Sequence, residues 1–134
     1  ITSLEGGGFI PVIAPVGAGP GQKPYNINAD TAAGALSASL EAEKFILLTD
    51  VPGVLGPDGT LLSSLPEEDA DRLIRDEVVS GGMIPKLRCC LNALRGGVPK
   101  AHIIDGRTPH ALLLELLTDE GIGTEIVRER APGV

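Results

Sequence analysis

The sequence is poor in aromatic residues, with no tryptophan, one tyrosine and two phenylalanines in 134 residues. Such scarcity removes the flat surfaces on which unpaired bases stack. A formal net charge of −7 repels polyanions as well, so nucleic acid is not expected as a partner. Any phosphate bound here must be held locally. Long apolar runs are also missing: none approaches the roughly 20 residues that cross a bilayer, and no charged leader precedes a signal-like segment. No membrane contact and a cytoplasmic location are therefore the expectation. There are two cysteines, Cys89 and Cys90, and as neighbours in an expected helix their side chains diverge too far to join readily. Both read as reduced thiols that pack, and no histidine lies nearby in sequence to activate either. The common phosphate signatures fail too, since neither GxxxxGK[ST] nor a GxGxxG after a strand occurs.

What is present is aliphatic. A hydrophobic content of 43% carried mainly by Leu, Ile, Val and Ala suits a tightly packed, buried parallel sheet. At this length a single domain, 1–134, is expected, burying roughly two thirds of its unfolded surface. The opening ITSLEGGGFIPVIAPVG reads as the tail of a helix stopped by glycine and then a strand from Phe9 to Val16. Chains rarely begin in that way, so a piece of a longer protein is expected.

GAGPGQKPYNINAD follows as a Gly/Pro-rich loop, and Asp30 to Leu40 has a helical pattern that Asn28 or Asp30 caps. KFILLTD, Lys44 to Asp50, is a strand expected to be buried on both faces, and GVLGPDGTLLSSL an excursion or hairpin. Ser64 and Glu67 have capping-box spacing ahead of a helix from about Pro66 to Glu77, whose acidic first turn suits the helix dipole. A second amphipathic helix is expected from Met83 to Arg95, closed by Gly96 as a left-handed cap. KAHIID then reads as a strand, PHALLLELL as a helix and TEIV as a last strand. The alternation predicts an α/β three-layer sandwich with a mostly parallel sheet. Ligands bind beyond the carboxyl ends of such strands, so Asp50, Asp105 and the Gly81–Gly82 loop are expected to share a rim.

SGGMIPKLRCCLNALRGG concentrates the chemistry. Two glycines permit close backbone approach, Pro85 suits a first helical turn, and a helix N-terminus attracts anions, so Lys86 stands over ground suited to negative charge. Phosphoryl transfer needs such a cation. A carboxylate such as Asp30 can fix the lysine or meet a metal, and Asn26 can hold a polar substrate end without repulsion. On local evidence alone Asn26 and Asn28 remain ordinary caps.

GFIPVIAPVG, YNINADTAAG, LLTDVPGVL, GGMIPK, AHIIDGR and LLELLTDEGIGT, in this order and spacing, resemble the acetylglutamate kinases of the amino-acid kinase superfamily. The likeness covers nearly the whole chain but only the carboxyl-terminal, nucleotide-binding lobe of a protein about twice as long, without the amino-terminal substrate lobe. It implies transfer of the ATP γ-phosphate to the side-chain carboxylate of N-acetyl-L-glutamate in arginine biosynthesis, with Mg2+ accompanying ATP. In this resemblance Lys86 stabilises the moving phosphoryl group, Asp30 organises the catalytic lysines and Asn26 holds acetylglutamate. Thr49, Asp50, Leu55, Gly82 and Met83 match positions around the nucleotide. His102, Glu115 and Gly121 match a feedback arginine site, and a homo-oligomeric parent is implied. The family's amino-terminal lysine, glycine-rich loops and substrate arginine have no counterpart here, so the chain alone is expected to be inactive. The competing readings are another amino-acid kinase or, for this chain alone, a non-catalytic module that binds nucleotide or arginine.

Overall fold

A computed structural model describes residues 1–118 and 121–128. Two sheets form, and each follows from where the chain can place its apolar faces. The larger has four strands, β3 (Lys44–Thr49), β4 (Ser64–Pro66), β5 (Lys100–Asp105) and β6 (Thr124–Val127), in the order β3-β5-β6-β4. β3 pairs parallel with β5 and β4 parallel with β6, while β5 and β6 run antiparallel. The sheet is thus mixed and mostly parallel. Helices α2 (Ala29–Ser39), α3 (Glu67–Arg75) and α4 (Met83–Arg95) cover one face, and α5 (Ala111–Leu117) brings Glu115 to the other. The expected layered α/β architecture is therefore observed.

α4 is the centre of the core. Leu87, Leu91 and Leu94 recur along one side of it and are at most 1% exposed, packed with Phe45, Leu47, Ala101, Ile103 and Ile126 from the sheet. Each such side chain stabilises the fold by roughly 1.5–3 kcal/mol through removal from water. The helix has the predicted limits, Met83 to Arg95, but a different ending. Gly96 has φ −75° and is not a left-handed cap; Gly97 has φ +113°. A Cβ at Gly96 would come within 2.6 Å of the Ala38 methyl, so that glycine is there to let α2 approach. Arg128 donates from both Nε, at 2.9 Å, and a terminal guanidinium nitrogen to the Leu94 carbonyl, placing a cation at the negative end of α4.

Several expectations need correction. Phe9 to Val16 is not a strand: β1 is only Val16–Ala18, and it pairs antiparallel with β2 (Pro24–Asn26). Pro11 and Pro15 remove two amide donors and restrict their predecessors, and Phe9, Ile10, Val12 and Ile13 are exposed. The Gly/Pro-rich loop is accordingly a short ribbon around a turn at Pro20–Gln22. β3 is an edge strand, with Phe45 and Leu47 buried but Leu48 53% exposed, so its second face is not covered as expected. Ser64 lies in β4 and caps nothing; Pro66 precedes α3, and Glu67 turns to Arg95 at 2.6 Å instead. α3 stops at Arg75, and Glu77 has φ +55°.

Other expectations hold. The Asn28 side chain accepts the Thr31 amide at 3.0 Å and caps α2. Leu55 and Leu61 bridge as the hairpin predicts. A short helix, α1 (Thr2–Gly6), opens the chain. Cys89 and Cys90 are buried free thiols. Gly123, with φ +95°, brings the start of β6 against β5, where a Cβ would meet the Ile103 carbonyl at 2.3 Å.

Candidate functional site

α2 and α4 each run back along the sheet and turn directly into β3 and β5. Their N-termini therefore lie at the carboxyl ends of those strands, where Thr49 and Asp105 stand side by side in register. Asn28 caps α2, which places Asp30 in its first turn; Gly81, with φ +56°, and Gly82 lead into α4 and set Lys86 at the end of its first turn. Lys86 Nζ donates to Asp30 Oδ2 at 3.0 Å. Their side chains retain 23% and 29% exposure, so the pair is shielded yet reachable. Below it the Cys89 thiol donates to the Asp30 backbone carbonyl at 2.8 Å. Burial pushes the Cys89 thiol up, the Asp30 charge adds to this, and it stays protonated. Cys90, more deeply buried, is pushed up further.

A second group closes the strand ends. Arg107 grips Asp105 through Nε at 2.9 Å and a terminal nitrogen at 2.8 Å, with its own amide adding a third bond at 2.9 Å. These bonds hold the Asp105 carboxyl down at about 2. The Thr49 hydroxyl donates to Asp50 at 3.3 Å, and the Asp50 charge also bears on Arg107. Of the residues around the expected nucleotide, Thr49 and Asp50 thus share an edge with Asp105, while Gly82 and Met83 lead into Lys86. Leu55 is exposed in its hairpin, bridged to Leu61. Asn26 ends β2, exposed, and no described hydrogen bond joins it to Lys86.

His102, Glu115 and Gly121 come together on the opposite face of the sheet, in a cavity of about 660 Å³ that Lys44, Thr108 and Glu125 also line. His102 Nδ1 approaches Glu115 Oε1 to 2.5 Å, with side chains 4% and 8% exposed. The approach is off the hydrogen-bonding direction, and Nε2 has no partner among the described residues. Glu115 Oε2 accepts the Ile122 amide at 2.7 Å. Burial pulls His102 below the ordinary histidine value against the opposing pull of Glu115 and Glu125, while Lys44 lowers it further. His102 lies inside β5. Asp119 and Glu120 of the DEGIGT stretch are outside the described residues.

Sequence reasoning missed Arg107, Cys89, Lys44 and Glu125. The Asp-Gly-Arg spacing was the one local signal, for Arg107; the others reach their partners across strand register or between helices. Groups of three or more His, Cys, Asp or Glu placed to hold a metal are absent among the described residues.

A family model described as the amino acid kinase family matches residues 1–105. The chain belongs to the amino acid kinase family. It is 61% identical over 127 residues to the acetylglutamate kinase of Geotalea uraniireducens, covering 95% of this chain and 44% of that protein. The chain therefore spans less than half the length of this relative. Among solved structures, N-acetylglutamate synthase from Neisseria gonorrhoeae, complexed with coenzyme A and L-arginine, matches 96% of the chain and 30% of its own, with TM-score 0.89 and 34% identity. Carbamate kinase from Giardia lamblia bound to AMP-PNP, at TM-score 0.65 and 21% identity over 83% of this chain and 36% of its own, shares the fold.

His102 is kept neutral by burial, so its contribution to stability has a definite sign. An unfolded chain takes up a proton near the ordinary histidine value of about 6.5, and the folded one only at lower pH. Stability from this group is complete above about pH 6.5 and falls as pH drops below it. Urea midpoints measured between about pH 7.5 and 5.5 should therefore decline in the wild type and decline less in His102→Gln. Parallel curves would contradict this.

Proposed function

We propose that the gene product carrying this chain transfers the γ-phosphate of ATP to the side-chain carboxylate of N-acetyl-L-glutamate, releasing ADP and an acyl phosphate, in arginine biosynthesis. The observation that supports it most is the Asp30–Lys86 pair at 3.0 Å, shielded between two helix N-termini, in a chain 61% identical to an acetylglutamate kinase. A carboxylate oxygen of the acceptor forms the new bond to γ-phosphorus as the bond to the β,γ-bridging oxygen breaks. Charge on the moving group then spreads over its outer oxygens, where the Lys86 ammonium and the α4 N-terminus act. Asp30 holds that ammonium in place. Asn26 binds acetylglutamate, and Thr49, Asp50, Leu55, Gly82 and Met83 surround the nucleotide.

Mg2+ fits this arrangement as a companion of ATP, because it is held by phosphate oxygens, waters and one or two carboxylates rather than by a protein cage. The metal neutralises phosphate charge when bound. Catalysis here is mostly positioning and electrostatics, so this chain alone has negligible turnover, and the active form is a cytoplasmic homo-oligomer.

The cavity on the far face supports a second role, inhibition by arginine. Glu115 offers a carboxylate to a guanidinium, and Gly121 leaves room beside it, where a Cβ would lie 3.5 Å from Oε2. The N-acetylglutamate synthase neighbour is described in complex with L-arginine.

In the gene product that carries this chain, Lys86→Met should lower kcat by about a hundredfold to a thousandfold while KM for ATP changes only a few-fold. A raised KM with unchanged kcat would assign the lysine to plain binding. Arginine titrations, each normalised to its own uninhibited rate, should shift by about tenfold or more in Glu115→Gln, the loss of one charged hydrogen bond. Superimposable curves would remove Glu115 from the site.

A further inference from the structure

The Asp30–Lys86 pair joins side chains from two helices, so its geometry depends on how closely and at what angle α2 and α4 pack. Cys89 is one turn beyond Lys86 on the same side of α4, and Gly34 one turn beyond Asp30 on the facing side of α2. A Cβ at Gly34 would come within 2.8 Å of Cys89 Sγ. The sulfur therefore fills the space a side chain would take, and sets the spacing of the helices beside the ion pair. It also makes a directional contact, the 2.8 Å bond from the thiol to the Asp30 carbonyl. Asp30 is thus held at both ends: Lys86 meets its carboxylate and Cys89 its backbone. Ser37 Oγ, bonded at 2.8 Å to the Gly34 carbonyl, keeps the intervening turn of α2 in place.

We propose that Cys89 is a positioning residue of the phosphoryl-transfer site, fixing the first turn of α2 through the Asp30 carbonyl so that the carboxylate aims the Lys86 ammonium. The proposal rests on the reading of the pair given above. A thiol suits this place because it is small enough for the Gly34 contact and still has a proton to donate. Its role needs the protonated form, which burial and the neighbouring carboxylate charge favour. Nucleophilic chemistry by Cys89 is no part of it.

A purely space-filling role and a donor role rank substitutions in opposite order. At a site 8% exposed, Val and Ala suit apolar surroundings better than Ser, whereas only Ser keeps a donor. In the gene product that carries this chain, Cys89→Val and Cys89→Ala should each lower kcat by about threefold to tenfold, the value of one hydrogen bond, with KM for ATP little changed. Cys89→Ser should stay within about twofold of wild-type kcat despite an unfolding midpoint no higher than that of Val. If Val and Ala turn over like wild type, or if kcat follows the unfolding midpoints and Ser is the worst, the positioning role is wrong. Lys86→Met run in the same assay separates the two claims. A full loss there beside unaffected Cys89 variants overturns only the role of Cys89, while an unaffected Lys86→Met overturns the reading of the pair itself.

Discussion

Lys86 occupies an expensive position. A cation near a helix N-terminus opposes the helix dipole, and this one is three-quarters shielded from water. Asp30 is the compensation, 3.0 Å away and in the first turn of α2, where its own charge is favoured. The pair therefore stabilises the arrangement while no anion is bound, and leaves a fixed ammonium beside two helix N-termini when one arrives. A solvated lysine would have to be ordered each time; this one is ordered in advance, the preorganisation that electrostatic catalysis depends on. In a chain with net charge −7 such a local positive site has to be built.

The packing around the pair serves that purpose. α4 is buried along one side and anchored at its far end by Arg128 and by Arg95, which bonds Glu67 and Asp71 of α3 at 2.6 Å each. α2 meets α4 closely at two points, Gly34 on Cys89 and Ala38 on Gly96. Two contacts along one helix fix its angle as well as its distance, and the angle aims Asp30. The parallel β3–β5 pair then brings Thr49 and Asp105 to the same edge of the sheet.

Much of this was legible where the signal is local. α4 is bracketed by glycines and carries an apolar stripe, so both of its limits were readable, and Asn28 and the strands at Lys44, Lys100 and Thr124 were found for similar reasons. What failed was non-local. An apolar run such as FIPVIAPV is written like a strand, but it pairs only where a partner reaches it, and β2 reaches no further back than Val16. The edge position of β3 is decided by strand order, which no single segment encodes. Ser64 and Glu67 had capping spacing, yet β6 takes Ser64 into the sheet and Arg95 takes Glu67. Asp30 and Lys86 are 56 residues apart, and their meeting was suggested by the chemistry of the residue types and by resemblance, not by any local pattern. Cys89 looked like filler because its partner lies 59 residues away on another helix.

The central claim is that Asp30 acts on phosphoryl transfer through Lys86 rather than independently of it. A double-mutant cycle in kcat, with Asp30→Asn, Lys86→Met and both together in the gene product that carries this chain, measures that dependence. If the carboxylate works by holding the ammonium, the double variant is no slower than Lys86→Met alone, because nothing remains to be held. If the two losses multiply, the residues contribute separately, and the account of the pair as one device is wrong.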